Sequence, residues 1–218
     1  VLTVRDNIHD GYLFMATKHG LVKKTPLSEF KNLRKSGLIA INLREGDELL
    51  KVKVTRGDAD IIIVSQEGNA IKFNEQDVRP MGRTASGVKS MKLRENDIAV
   101  CMDIAVDDEE LLVISENGYG KRTPVSEYKR QNRGGIGLIT YKISEKTGKV
   151  VGAIVCKNDD ELMLINTSGI AIRINVSDIS VTSRSAMGVR LMRTSEEEKV
   201  VAIAKIAKTG DEEKDEQL

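Results

Sequence analysis

The sequence predicts an all-β protein, a propeller-like disc built from four-stranded antiparallel blades. One observation is a turn glycine that recurs every 48 to 51 residues, at Gly20, Gly68, Gly118 and Gly169. A second glycine recurs in step with the first, at Gly37, Gly87, Gly137 and Gly188. The apolar runs between these glycines are four to eight residues long and rich in Val and Ile, which favours strands over helices.

The two glycine series divide residues 1–210 into four repeats, namely 1–57, 58–107, 108–158 and 159–210. A lone sheet of about 50 residues cannot bury both of its faces, so we expect the four units to stack around one axis as a single domain. Residues 211–218 hold five acids and one lysine, and we expect them to form a disordered acidic tail.

Each repeat has the same order of elements. An apolar run opens it, at 12–16, 61–64, 111–114 and 162–165, and the turn glycine follows. Nine residues after that glycine stands an acid, which is Glu29, Asp77, Glu127 or Asp178. A polar loop then leads to the second glycine, and another apolar run closes the repeat, at 49–54, 98–105, 150–155 and 200–206. Because no helical crossover separates the runs, the strands are expected to pair antiparallel.

A basic residue occupies the fourth place after every turn glycine. These residues are Lys24, Lys72, Arg122 and Arg173, and in two repeats a lysine precedes them, Lys23 and Lys121. A cation at one fixed place in each blade predicts a ring of positive charge on one rim of the disc. Double-stranded DNA is the expected partner, because such a ring suits a curved polyanion and phosphate contacts carry no base sequence.

The loop before the second glycine carries the other candidate DNA contacts. In repeat three it reads QNRGGIG over residues 131–137, so that Arg133 offers a cation while the glycines offer backbone N–H groups that no Cβ shields. The candidates from this loop are Gln131, Arg133, Gly134, Gly135 and Gly137. The equivalent loops of the other repeats supply Arg34, Lys35, Arg83 and Arg184.

The pattern Q-x-R-G-G-x-G resembles the box motif of the C-terminal domains of DNA gyrase A, and the similarity extends from Leu13 to Lys208. The resemblance implies a β-pinwheel, a disc whose neighbouring blades exchange strands and whose positively charged rim wraps DNA. The family usually has six blades with the strictest box in the first, so the chain is expected to hold the last four. Asn132 and Ile136 stand where the strict box has basic residues.

The same resemblance implies the setting of the domain. It would be a non-catalytic DNA-wrapping module of DNA gyrase, a type II topoisomerase that hydrolyses ATP and introduces negative supercoils, together with gyrase B and the rest of gyrase A. ATP and Mg²⁺ would belong to the parent enzyme, and no cofactor, metal or catalytic residue is expected in this chain. The fragment is expected to be a cytoplasmic, nucleoid-associated monomer without a membrane partner.

Composition and missing motifs argue against other classes of function. The chain has no GxxxxGK[ST] phosphate loop, and two histidines offer little general-base capacity. Aromatic residues make up 3% of the chain, which argues against a stacking platform for single strands. Cys101 and Cys156 are expected to be small core residues. Two alternatives remain, the corresponding C-terminal domain of topoisomerase IV and a propeller that binds proteins.

Overall fold

A computed structural model describes residues 10–31, 36–195 and 197–206, and it confirms the predicted all-β fold. Arg34, Lys35 and the acidic tail at 211–218 lie outside the described residues. The strands are β1 (Tyr12–Thr17), β2 (Leu21–Pro26), β3 (Leu49–Thr55), β4 (Asp60–Ser65), β5 (Asn69–Asn74), β6 (Val88–Lys89), β7 (Ala99–Ile104), β8 (Glu110–Ser115), β9 (Tyr119–Pro124), β10 (Leu138–Ile139), β11 (Val150–Cys156), β12 (Glu161–Asn166), β13 (Ala171–Asn175), β14 (Val189–Arg190) and β15 (Val200–Ile206). A short 3-10 helix follows the second strand of each repeat, at Leu27–Phe30, Glu75–Asp77, Val125–Glu127 and Val176–Asp178.

The strands form four antiparallel sheets, and each sheet is one blade. The strand order is β3-β1-β2-β6 in the first blade, β10-β5-β4-β7 in the second and β11-β8-β9-β14 in the third. In these three blades the outermost strand has two residues and comes from the following repeat, so neighbouring blades exchange strands. The fourth blade has the order β13-β12-β15, and no other strand in the described part of the chain pairs with β13.

The inside of the disc is formed by the last long strand of each repeat. Strands β3, β7, β11 and β15 pack against one another in that order, while β6, β10 and β14 lie on the outside. Apolar clusters fill the spaces between consecutive blades, and the one between the second and third blades includes Ile62, Val64 and Tyr128. Cys101 and Cys156 are buried, which confirms the expectation of small core residues.

The two glycine series lie at different places in the blades. Gly20 closes the hairpin of β1 and β2 at a φ of +77°, and its N–H donates to the Thr17 carbonyl oxygen at 3.1 Å. Gly87 stands where the second repeat meets the first blade, at a φ of +97°, and a Cβ there would lie 2.6 Å from the Val22 carbonyl oxygen. Gly87, Gly137 and Gly188 therefore permit the strand exchange, because only glycine combines a positive φ with so close a backbone approach.

The chain that leads to each outermost strand runs along the outer edge of the preceding blade. Isolated bridges hold it there, between Lys24 and Pro80, Lys72 and Arg130, and Arg122 and Val181. We call residues 79–89, 129–139 and 180–190 the rim segments, because each begins beside such a bridge and ends in the outermost strand. The loops of repeats two, three and four that were singled out as DNA contacts form the middle of these segments.

Candidate nucleic-acid interface

The predicted ring of exposed cations is wrong for three of its four members. The side chains of Lys24, Lys72 and Arg122 are each only 5% exposed. Each charged group donates to a backbone carbonyl oxygen in or next to the 3-10 helix of the following repeat: Lys24 Nζ to Glu75 at 2.9 Å, Lys72 Nζ to Val125 at 3.5 Å and Arg122 Nε to Ile179 at 2.8 Å. The recurring cation therefore fastens consecutive blades together beneath the surface.

Carboxylates complete the environment of these buried cations. Lys72 pairs with Asp107 at 2.5 Å, and Arg122 pairs with Glu110 at 3.0 Å. Lys24 lies 3.9 Å from the carboxylate of Glu75, which is itself fully buried. Because a buried charge is costly without a partner, these acids explain why the cations stay at the junctions between blades.

Arg173, the fourth member of the predicted ring, is exposed. It lies in β13, and the described residues contain no following repeat whose 3-10 helix could cover it. Its guanidinium pairs with Glu161 of the same blade instead. The same sequence position is thus buried or exposed according to whether another repeat packs against it.

Lys23 and Lys121, which were predicted to lie on the rim, are fully buried under it. Lys23 Nζ donates to the carbonyl oxygens of Ala40, at 2.5 Å, and of Arg83. Lys121 Nζ donates to the carbonyl oxygens of Ser183 and Arg184, each at 2.5 Å. Burial is the main cause that lowers the pKa of each lysine to about 8. Both lysines hold the rim loop of the following repeat from below.

The rim arginines Arg83, Arg133 and Arg184 are half-buried. Each donates through Nη1 to the carbonyl oxygen two residues after the second glycine of the preceding repeat, namely Ile39 at 3.4 Å, Lys89 at 3.1 Å and Ile139 at 3.2 Å. Arg133 also donates through Nε to the Asp77 carbonyl oxygen at 2.9 Å. These arginines link consecutive repeats while part of each side chain stays at the surface.

The glycine-rich loop at 131–137 is held mainly through its backbone. The Gly134 N–H donates to the Ser90 carbonyl oxygen at 2.6 Å, so this N–H is not free for a phosphate as the sequence had suggested. The Gly135 carbonyl oxygen accepts the Lys92 N–H at 2.7 Å, and the Gln131 N–H donates to the Lys72 carbonyl oxygen at 2.8 Å. Gly137, at a φ of +82°, passes close to the backbone of Ala70.

Sequence reasoning missed most of the exposed cations of the rim segments. The missed ones are Lys89, Lys129, Arg130 and Arg190, and the remaining exposed cation is Arg79. Arg130 pairs with Asp60 at 2.8 Å, whereas Arg79, Lys89 and Lys129 form no ion pair with the residues that the structure describes. A second periodic signal points to Arg79 and Lys129. A basic residue stands two places after the recurring acid in three repeats, at Lys31, Arg79 and Lys129.

The rim therefore presents positive charge in layers. Exposed cations lie outermost, half-buried arginines fasten the segments, and buried lysines and one buried arginine support them. A row of cations along three successive blades can attract a polyanion that follows a curved path. In the described ranges no cluster of three or more His, Cys, Asp or Glu side chains could hold a metal ion, and no helix there is long and apolar enough to cross a membrane.

The chain is similar to known proteins over most of its length. The family model described as DNA gyrase C-terminal domain, beta-propeller, matches residues 11–56, 59–100, 109–157 and 160–207. DNA gyrase A of Clostridium acetobutylicum is 61% identical over 213 residues, which are 98% of this chain and 26% of that protein. DNA gyrase A of Escherichia coli is 42% identical over 201 residues, 92% of this chain and 23% of that protein. The chain thus spans about a quarter of the length of these relatives.

Two solved structures share the architecture. The DNA gyrase A C-terminal domain matches with a TM-score of 0.83 and 32% identity, covering 94% of this chain and 68% of that one. The C-terminal domain of DNA topoisomerase IV matches with a TM-score of 0.88 and 28% identity, covering 94% of this chain and 64% of that one.

Proposed function

Because this chain belongs to the family of DNA gyrase C-terminal domains, we propose that it binds duplex DNA along its rim segments and wraps the DNA around the disc. The observation that carries the proposal is the row of exposed cations on the rim segments. Arg79 and Lys89 lie on the first blade, Lys129 on the second and Arg190 on the third. Their spacing from blade to blade follows the repeat, so the row turns with the disc.

The chemistry of this row favours binding without base specificity. Lysine and arginine side chains on a convex rim reach phosphates, and phosphate contacts position a duplex without distinguishing its sequence. Any preference would come from how easily a sequence bends. The glycine-rich loop at 131–137 contributes by fixing the rim segment that carries Lys129, and Arg133 adds the exposed part of its guanidinium.

The wider setting follows from the relatives. In a longer protein of the same kind, the domain would present wrapped DNA to a cleavage core, so that ATP-driven strand passage introduces negative supercoils. Gyrase B and the rest of gyrase A would be the partners in that heterotetramer, and the cytoplasmic nucleoid would be its place of work. Within this proposal the chain itself contributes binding and curvature and performs no bond chemistry.

The test is a titration with duplex DNA at several salt concentrations. If about four phosphates are neutralised, log K should fall against log salt with a slope of about −3.6. Lys89→Gln combined with Lys129→Gln should reduce the slope by about two units. The control is Lys157→Gln, an exposed lysine paired with Glu109 away from the rim, which should keep the wild-type slope. A slope near zero for the wild type would exclude wrapping by the rim.

A second candidate is the C-terminal domain of a topoisomerase IV, favoured by the structural match to that domain. The gyrase-type function proposed here requires bound DNA to be wrapped, and the alternative is taken as a domain that binds DNA without wrapping it. When a nicked plasmid is sealed by a ligase in the presence of a wrapping protein, its linking number changes. A protein that binds DNA without wrapping it leaves the linking number unchanged. A changed linking number would support the gyrase-type function, and tight binding with no change would favour the alternative.

A further inference from the structure

A concave surface at one end of the third blade brings together three cations from separate segments. Lys146 lies in the turn between β10 and β11, Arg190 lies in the outermost strand β14, and Lys199 stands just before β15. Tyr119 and Asn117, on either side of the turn glycine of this repeat, form part of the wall. None of these five residues was singled out by the sequence as a DNA contact.

Tyr119 contacts two of the cations, Arg190 and Lys146. Arg190 Nη2 donates to Tyr119 Oη at 2.7 Å, and the Cζ atom of Arg190 lies 5.1 Å from the centroid of the tyrosine ring. Lys146 Nζ lies 5.3 Å from the same centroid. The aromatic ring attracts both positive charges, so it holds them near each other in spite of their mutual repulsion.

Asn117 connects the third cation, Lys199, to the same concave surface. Lys199 Nζ donates to Asn117 Oδ1 at 2.5 Å. The amide nitrogen of Asn117 in turn donates to the carbonyl oxygens of Glu145 and Lys146, each at 3.1 Å. This chain of hydrogen bonds connects Lys199 to the turn that carries Lys146.

No carboxylate of the described residues neutralises this group. Within that part of the chain, Lys146, Arg190 and Lys199 form no ion pair, whereas Lys149 and Lys157 of the same repeat each pair with an acid. The carboxylate of Glu198 is occupied by other donors. Its Oε1 accepts the Ser168 hydroxyl at 2.6 Å, and its Oε2 accepts the Ser195 N–H at 3.1 Å. Three like charges in a concave surface repel one another, and an anion would relieve that repulsion.

We propose that Lys146, Arg190 and Lys199 form a subsite for a phosphate group of the DNA backbone, an inference that rests on the proposed function. Arg190 ends the rim segment 180–190, so the subsite continues the row of rim cations. The hydroxyl groups of Thr194 and Ser195 also line the surface, and a phosphate can accept hydrogen bonds from several such donors at once.

The subsite is particular to the third blade. Arg190 faces Tyr119 across the strand pair, whereas Leu21 occupies the place of Tyr119 in the first blade and Asn69 occupies it in the second. Neither of these side chains offers an aromatic face to a cation. We therefore expect the third blade to bind a phosphate at this position, where the first and second blades lack the aromatic ring.

The first test compares the salt dependence of duplex binding in four proteins. Arg190→Gln and Lys146→Gln should each lower the slope of log K against log salt by about 0.9, the value for one lost phosphate contact. Lys157→Gln removes an exposed lysine from the opposite end of the same blade and should leave the wild-type slope. Lys146 lies in an exposed turn, so its variant keeps the test valid if Arg190→Gln does not fold.

The second test follows the side-chain Nε–H resonance of Arg190 by NMR while duplex DNA or inorganic phosphate is added. A shift on adding DNA, together with the reduced slopes, supports the subsite. Wild-type slopes in both variants would overturn it, as would a shift with inorganic phosphate and none with DNA, which would indicate a site for free phosphate. A wild-type protein that binds no duplex would instead contradict the proposed function itself.

Discussion

The junction between the second and third blades is built differently from the junctions on either side of it. At the first and third junctions, the residue three places after the turn glycine is a buried lysine, Lys23 or Lys121. Lys23 donates to the Arg83 carbonyl oxygen of the next rim loop, and Lys121 donates to those of Ser183 and Arg184. At the second junction the same place is Ile71, which is fully buried and faces Gly135. The same blade geometry is therefore reached through two kinds of contact.

The rim loops explain the difference. The loops above the lysines close on themselves, since the Ala85 N–H donates to Gly82 and the Ala186 N–H donates to Ser183, each at 3.2 Å. Carbonyl oxygens of these loops also face the blade beneath and need a donor there. The loop above Ile71 is bonded to the preceding repeat through Gly134 as well as Gly135, whereas the loop above Lys23 makes only the equivalent of the second bond, from the Asn42 N–H to the Ala85 carbonyl oxygen. The Gly134 N–H satisfies the Ser90 carbonyl oxygen, whose equivalent at the first junction, that of Ala40, is bound by Lys23. The Arg-Gly-Gly loop can therefore rest on an apolar side chain.

Ile71→Lys tests the second junction directly. The new ammonium would be buried at a place that a fully buried isoleucine side chain fills, beneath a loop whose Gly135 carbonyl oxygen already accepts the Lys92 backbone N–H. We expect the free energy of unfolding to fall by about 4 kcal/mol, measured by urea denaturation. Ile172→Lys, at the equivalent and less buried place of the fourth blade, is the control and should cost far less.

The reciprocal change removes the lysine of the third junction. Lys121→Met takes the buried donor away from the carbonyl oxygens of Ser183 and Arg184, and we expect a loss of about 2 kcal/mol in the free energy of unfolding. Lys142→Met, at an exposed lysine, should change stability by less than about 0.5 kcal/mol. Equal losses in the two variants would mean that the buried lysine does not support the loop.

A smaller effect should separate the two glycines of the Arg-Gly-Gly loop. Gly134 has a φ of +83°, so Gly134→Ala should cost about 1 kcal/mol through backbone strain. Gly135 is not in the left-handed region, and an added Cβ would lie 3.6 Å from Ile71 Cδ1, an ordinary contact. Gly135→Ala should therefore be nearly neutral in thermal unfolding, and a larger loss at Gly135 than at Gly134 would contradict the geometry.

A further expected effect is a dependence of stability on pH. Burial lowers the pKa of Lys23 and Lys121 from 10.5 to about 8, so between these values the unfolded chain binds more protons than the folded one. Stability contributed by the two lysines should therefore rise with pH across that window. The difference in unfolding free energy between the wild type and the Lys23→Met, Lys121→Met double variant should grow from about pH 8 to about pH 10. A constant difference would show that neither lysine changes its pKa on folding.

The repeat architecture could be predicted from local features of the chain. The spacing of the two glycine series and the short Val- and Ile-rich runs specified four blades of antiparallel strands, because positive φ values and strand periodicity are local properties of the chain. The same local signals located the loop at 131–137 and its arginine. They also include the basic residue that recurs at Lys24, Lys72 and Arg122, but they do not show which residues cover it.

The positions of those charges depend on how the repeats pack against one another. In each of the first three blades the outer edge is covered by the following repeat, which buries the recurring cation against a 3-10 helix and leaves later residues such as Lys89 and Lys129 exposed. Arg173 shows the reason most directly, since it holds the same place in its repeat and stays exposed where no described repeat covers it. Whether a lysine or arginine faces solvent depends on contacts between residues about 50 positions apart, and the pattern of a single repeat does not contain them.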